Sequence, residues 1–263
     1  MAGSKPLSEI TVAITGAAGG LGKVIAQTFL DAGSKVAICD VNQERLDQVK
    51  EEWKAHEGRV LVSQTDITDE AAVEAFVQGV VEKLGGLDIF INNAGIMDKF
   101  DAVATTTKAV WDRVIGVNAT GAFLCTKSAV NAMLASGTGG TIINIASNAS
   151  VYGVASGVAY TASKHALLGL VRNTAGFYGD KGVYSVALVL GGMDQTNLVD
   201  AFREGVNMEV LGQMKGFLPG YVPGETGVEL ADVAKYCVFL ADRGVARASN
   251  GGTINVNNNW PTV

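Results

Sequence analysis

Tyr160 and Lys164 stand four residues apart in the stretch AYTASK (159–164), a phenol and an ammonium at the spacing of one helical turn. On a helix their Cβ atoms lie roughly 5–6 Å apart on one face. A free tyrosine titrates near ~10 and is a poor acid or base at neutral pH. A cation beside it favours the phenolate. Lowering its pKa to ~7 takes about 4 kcal/mol. One unit charge at ~4 Å, in an effective dielectric near ~20, supplies about that much. A group that titrates near the working pH is what general acid/base catalysis needs. The same pair on a solvated helix face would do nothing, so the rest of the chain has to decide between the two readings.

A second candidate is the glycine turn TGAAGGLG (15–22), which follows a β-branched run and opens a helical pattern. Gly16, Gly20 and Gly22 permit a tight turn and a close backbone approach, and the free N–H groups of a helix start attract phosphate. In a chain with 33 glycines such a turn can also be only a turn. Asp40 lies 18 residues past Gly22, at the end of the second apolar run. An acid there accepts hydrogen bonds from a ribose 2′-hydroxyl and repels a 2′-phosphate. Its neighbours CDVNQ carry no arginine or lysine, which favours NAD(H) over NADP(H). Asp40 could instead cap a helix starting near Asn42. Asp66 in QTDIT reads as a helix cap, an adenine contact, or both. The amides in NNAG (92–95) end another strand pattern, where open α/β sheets bind ligands, or they satisfy a turn.

The elements that would position these groups alternate. Strand patterns occupy 10–15, 35–40, 59–66, 87–95, 140–147, 183–190 and 251–256, with helical patterns between them over 20–33, 42–56, 69–84, 108–134 and 159–178. Apolar Leu21, Ile25, Phe29 and Leu30 show the helical spacing. Such alternation implies βαβ crossovers and a parallel sheet covered on both faces. The 191–226 segment is too long for an ordinary connection and reads as a lid. No linker or repeat divides the chain, so 1–263 reads as a single α/β domain.

Composition narrows the function. At 263 residues a large core is available. Only 17% of residues are charged and 48% are hydrophobic, so much of the surface should be covered, most simply by self-association. A net charge of −6 with no long basic run argues against nucleic acid and anionic membranes. Cys39, Cys125 and Cys237 are scattered in apolar contexts and read as buried free thiols in a reducing compartment. With His56 and His165 as the only histidines, a His-based triad or a multi-His zinc site is hard to build. The start MAGSKPLSE lacks an apolar h-region and no run approaches a membrane span. A cytoplasmic protein is the expectation.

Taken in order, TGAAGGLG, NNAG, Asn118 in GVNATG, Ser147 in NIAS and YTASK resemble the short-chain dehydrogenase/reductase family, over nearly the whole chain from about Ile10 to Val256. Ser147 precedes Tyr160 by 13 residues, the family's spacing. The resemblance implies a doubly wound, Rossmann-type seven-stranded parallel sheet with the dinucleotide across its C-terminal edge. It implies Tyr160 as the general acid/base, Lys164 lowering its pKa and holding the nicotinamide ribose, and Ser147 bonding the substrate oxygen. Asn118 would keep a water in a relay behind Lys164. The cofactor site it implies comprises Gly16, Gly20, Leu21, Gly22, Asp40, Asp66, Ile67, Asn93, Ala94, Gly95, Tyr160, Lys164, Gly191, Met193 and Thr196, and no metal.

Two departures from the family pattern stand out. Leu190-Gly191 replaces Pro-Gly, which loosens the register of Met193 and Thr196. NVNNNW (255–260) replaces an Asp-Gly-Gly turn, and asparagine tolerates the left-handed backbone such a turn needs. The lid segment carries Met193, Leu198, Phe202, Val206, Met208, Leu211, Met214, Phe217, Leu218 and Tyr221 among few charges. That suggests a helical lid with an apolar inner face. The expected substrate is an apolar, bulky or cyclic secondary alcohol or ketone, entering past Ile96, Met97, Val151 and Tyr152, with Arg203 or Lys99 as isolated cations. The leading reading is NAD(H)-dependent hydride transfer, with NADP less favoured. The alternatives are an isomerase or dehydratase on the same scaffold, or a dinucleotide-binding protein without turnover. Small residues Ala162, Ala166, Gly169 and Ala175 along one helix would allow subunits to pack closely. A homotetramer is expected, with a dimer as runner-up.

Overall fold

The computed structural model describes residues 5–193, 196, 205–218 and 225–261. Seven strands form one parallel sheet: β1 (Thr11–Thr15), β2 (Lys35–Asp40), β3 (Val60–Gln64), β4 (Ile89–Asn92), β5 (Gly140–Ser147), β6 (Val183–Leu190) and β7 (Thr253–Val256). Their order is β3-β2-β1-β4-β5-β6-β7. β1 and β4 are buried at every position, and β5 and β6 at all but one each, as strands covered on both faces must be. The observed β3, β4 and β7 are shorter than the apolar patterns, because the patterns run on into turns that leave the sheet.

Helices α1 (Gly20–Asp31), α2 (Gln43–Glu52) and α8 (Leu230–Phe239) bury Leu21, Ile25, Phe29, Leu46, Val49, Val233 and Cys237 against one face. α3 (Glu70–Leu84) and α5 (Ala122–Ser136) cover the other with Val73, Phe76, Val80, Cys125 and Met133. α6 (Val158–Tyr178) lies beside them, with Leu167, Leu168 and Val171 against Val189. α4 (Lys108–Ile115), α7 (Met208–Phe217) and α9 (Arg243–Ala248) complete the described helices. No helix among the described residues is long and apolar enough to cross a membrane. All three cysteines are free and buried, and burial pushes the thiols of Cys125 and Cys237 up to about 12.

Two helical expectations are corrected. The 42–56 helix stops at Glu52, where Trp53 turns inward to donate its indole N–H to Gln27 at 2.7 Å. The helix expected over 108–134 is interrupted by a π-turn, Gly116–Gly121, with two glycines at its ends and a buried asparagine, Asn118, inside it. π-turns add a residue to a helix and collect at functional sites.

The sheet order reverses between β1 and β4, the place where open α/β sheets leave a crevice. There the chain crosses itself closely. Gly16 adopts φ 63°, and a Cβ on it would lie 2.7 Å from the Cα of Ala94. A Cβ on Gly22 would lie 2.6 Å from the Gly16 carbonyl oxygen. The Asn93 amide donates to the carbonyls of Thr15 and Gly16 at 2.9 and 3.0 Å, fastening the two turns together.

Candidate active site

A cavity of about 1100 Å³ opens along the C-terminal ends of the strands. Its wall contains Gly16, Gly20, Leu21, Asp40, Asp66, Ile67, Asn93, Ala94, Gly95, Ser147, Tyr160, Lys164, Gly191, Met193 and Thr196. Gly22 and Asn118, expected at the site, stand behind the wall and shape it. Gly22 lets α1 approach the first turn. Asn118 donates to the Ile96 carbonyl at 2.9 Å and to the Ser163 hydroxyl at 3.0 Å, and its oxygen accepts the Ile96 N–H at 2.8 Å. Both amide N–H groups are thereby spent, so Asn118 could hold a water behind Lys164 only as an acceptor.

At one end of the cavity α1 begins on Gly19, with no side chain capping its first turn. By contrast Asn42, Asp69, Thr107, Asn207 and Asp242 cap α2, α3, α4, α7 and α9. The orphan N–H groups of α1 therefore face a space that suits an anion. Asp40 borders the same space. Its carboxylate accepts the Ala18 N–H at 3.2 Å and the Asn42 N–H at 3.0 Å. The cap of α2 is Asn42, so Asp40 is not that cap. Asp66 does not cap a helix either: it binds the Thr68 N–H and hydroxyl, and Asp69 caps α3. Arg45 also lines this end, one turn into α2 and just beyond the stretch CDVNQ.

At the other end lie Ser147, at the tip of β5, and Tyr160 and Lys164, in the first two turns of α6. Ser147 hydrogen-bonds the Tyr160 phenol. The Lys164 ammonium donates to the Ile145 carbonyl at 2.8 Å and sits 5.5 Å from the centre of the Tyr160 ring. Burial dominates: it pushes Tyr160 up to about 12, against the bond from Ser147, with Asp98 adding repulsion. Burial also pulls Lys164 down to about 8. In the protein alone the phenol is thus a protonated group rather than a phenolate near neutrality.

The Lys164 shift carries a stability prediction. The folded value, about 8, lies below the ordinary 10.5. Below pH ~8 both states hold the proton and the penalty is fully present, about 3 kcal/mol. Between ~8 and ~10.5 the folded state has released it, so stability rises with pH. Lys164→Met is expected to gain stability over the wild type at pH 6.5 and to lose that advantage by pH 10. Urea melts at the two pH values check this. A variant less stable by the same amount at both would show that the Ile145 bond outweighs the buried charge.

The lid side agrees in part with expectation. Leu211, Met214 and Leu218 of the α7 region reach the cavity wall, with Lys215 beside them, while Met208 and Phe217 are exposed. Leu198, Phe202, Arg203 and Tyr221 lie outside the described residues. Ile96 and Met97 line the cavity, but Val151 and Tyr152 do not; Phe100, Ala155 and Trp260 take that place. Besides Lys164, the cations among the described wall residues are Arg45, Arg113 and Lys215 rather than Lys99. Trp260 was missed because the turn that brings it in depends on long-range bonds. Its carbonyl accepts the Asn148 amide at 2.7 Å, and Asn258 and Asn259 take the left-handed backbone expected of that stretch, with φ 50° and 56°. Among the described residues no cluster of histidine, cysteine, aspartate or glutamate could hold a metal ion.

The family model described as short chain dehydrogenase matches residues 10–207, three quarters of the chain and every motif above. The chain belongs to the short-chain dehydrogenase/reductase family. This short-chain dehydrogenase is 40% identical over 261 residues to the short chain dehydrogenase/reductase dpchG of Colletotrichum higginsianum, covering 99% of this chain and 97% of the relative. It is 34% identical to 3beta-hydroxysteroid dehydrogenase 2 of Eggerthella lenta over 256 residues, 97% of this chain and 95% of that one. Among solved structures, levodione reductase superposes with a TM-score of 0.83 at 29% identity, covering 95% of this chain and 97% of the other. The chain is therefore an oxidoreductase of a family that binds a nicotinamide dinucleotide and acts on small molecules.

Proposed function

We propose that this short-chain dehydrogenase transfers a hydride between NAD(H) and an apolar, bulky or cyclic secondary alcohol or ketone, with Tyr160 as the general acid/base. The observation that carries the reading is the meeting of Ser147, Tyr160 and Lys164 at one end of a cavity whose other end is an uncapped helix start beside Asp40. A dinucleotide fits this arrangement. Gly16, Gly20 and Gly95 line the cavity without side chains, and a Cβ on Gly95 would lie 3.4 Å from Asn118 and 3.6 Å from Lys164. The α1 N–H groups and Gly20 would hold the pyrophosphate, Asp40 the adenosine ribose, and Lys164 the nicotinamide ribose. When bound, the cofactor supplies or accepts the hydride.

The chain's own groups handle the proton. Ser147 would hold the substrate oxygen and Tyr160 would exchange a proton with it. Because burial keeps the phenol protonated at neutral pH, the resting site is set to donate to a ketone oxygen. Ile96, Met97, Phe100, Leu211, Met214 and Leu218 exclude water and suit an apolar body. The relative named for a 3beta-hydroxysteroid supports a bulky cyclic one. Exposed Ala166 and Gly169 on α6 fit a homo-oligomer, but Ala175 packs on the turn at Gly251 of its own chain and is not free for a partner. Fluorescence titrations with NADH and NADPH test the reading. Selective NADH binding is expected; selective NADPH binding would overturn the role of Asp40, and binding of neither would overturn the reading itself.

A further inference from the structure

Between β4 and α4, residues 98–101 touch three parts of the site at once. Asp98 is completely buried. Its carboxylate accepts the backbone N–H of Tyr160 at 2.9 Å, that of Phe100 at 3.1 Å, and that of Gly157. Helix α6 starts on Gly157, which has no side chain to cap it. Asp98 supplies from a distant loop the acceptor that Ser or Asp normally gives at the cap position. A Cβ on Gly157 would lie 2.4 Å from the Asp98 carboxylate, so the glycine makes room for the acid. Three residues on, the Asp101 carbonyl accepts the Val158 N–H at 2.9 Å.

The same segment holds the lid. Asn207, the cap of α7, donates its backbone N–H to the Lys99 carbonyl at 2.9 Å and its amide to the Asp101 carboxylate at 2.9 Å. Between these two attachments Phe100 is kept at φ 62°, a costly backbone for an aromatic residue, and it lines the cavity. We propose that residues 98–101 are a clasp that fixes the catalytic helix and the lid helix to one another, with Asp98 the positioning residue for Tyr160 and Asn207 the latch of the lid. The inference rests on the reading of Tyr160 as the acid/base. All three partners of Asp98 are backbone N–H donors, two of them at the start of α6, an arrangement that favours the carboxylate, although burial pushes its carboxyl upward. Its charge then opposes formation of the phenolate. The other charged groups near this part of the site are Asp101 behind Asp98 and Lys164 on the same helix, while Arg113 and Lys215 lie elsewhere among the residues that line the cavity.

The test reads Tyr160 directly. The protein is labelled with ζ-¹³C-tyrosine, the Tyr160 resonance is assigned with Tyr160→Phe, and its titration is compared in wild type, Asp98→Asn and Asn207→Ala, together with amide hydrogen exchange. Asp98→Asn is expected to bring the phenolate in at a pH lower by on the order of one unit and to speed exchange in the first turn of α6 roughly tenfold. Asn207→Ala is expected to leave the Tyr160 titration in place and to speed exchange through 208–217. Gly157→Ala, whose methyl must displace the carboxylate, should reproduce the Asp98→Asn shift in smaller form and serves if that variant folds poorly. An unmoved Tyr160 titration with α6 still protected overturns the role of Asp98. Unchanged exchange in the lid of Asn207→Ala overturns the latch. Neither readout involves turnover, so a Tyr160→Phe variant that stayed active would defeat the acid/base reading without deciding the clasp.

Discussion

Tyr160→Phe is expected to cut turnover by at least ~10²–10⁴-fold, the usual contribution of a positioned acid/base, while NADH binding stays within about twofold of wild type. The ring keeps its packing against Val114, Ala149 and Ala159, so the change removes one oxygen and little else. The hydroxyl's partner, Ser147, is also an acceptor for the Ala149 N–H at 3.2 Å and is not stranded. The pair of measurements is steady-state turnover of a panel of cyclic ketones with NADH, and NADH affinity by fluorescence quenching. Loss of NADH binding in step with turnover would make Tyr160 a structural residue. Retained turnover would leave the proton to another group and sink the assignment.

Asp40→Ala is expected to shift the cofactor preference from NADH toward NADPH by roughly 10–100-fold. A hydrogen bond to a charged group is worth about 1.5–3 kcal/mol, and 1.4 kcal/mol is a factor of ten. The change removes the acid that would repel a 2′-phosphate, while Arg45 stays at the same end of the cavity. The ratio of the two dissociation constants decides the matter. Should it stay fixed, Asp40 would be a residue that only ties the glycine turn to the start of α2, the job its bonds to Ala18 and Asn42 already describe.

What was legible in the sequence follows from how local the cause is. The seven strands and the main helices come from runs of apolar residues at fixed periods, and these are properties of short windows. The motifs at 15–22, 147 and 160–164 combine residue type with spacing, so they too could be read in line. The misses share a different cause. Asp98 sits in the stretch IMDKF and looks like an ordinary loop acid; the helix start it caps is about sixty residues away. Arg45 lies two residues beyond CDVNQ and reaches the Asp40 end of the cavity only because α2 has already begun. The cap that sequence left open as an alternative for Asp40 and for Asp66 belongs to Asn42 and Asp69, since two acids or amides stand close together and only backbone geometry chooses between them. Spacing reveals the cation near Tyr160 but not the burial that pushes its phenol up in the protein alone.

The π-turn at Gly116–Gly121 has a consequence at the level of the gene. It amounts to one codon more than a continuous α-helix from Lys108 to Ser136 would need. An in-frame deletion of a single codon there would replace the π-turn by regular helical bonding. The helix would lose nothing as a helix. Asn118, however, could no longer meet the Ile96 backbone and the Ser163 hydroxyl together, and the floor under Lys164 would go with it. Reading frame, helicity and apolar content would all look healthy in such an allele, and the lesion would show only in the contacts under Lys164 and in the chemistry they support.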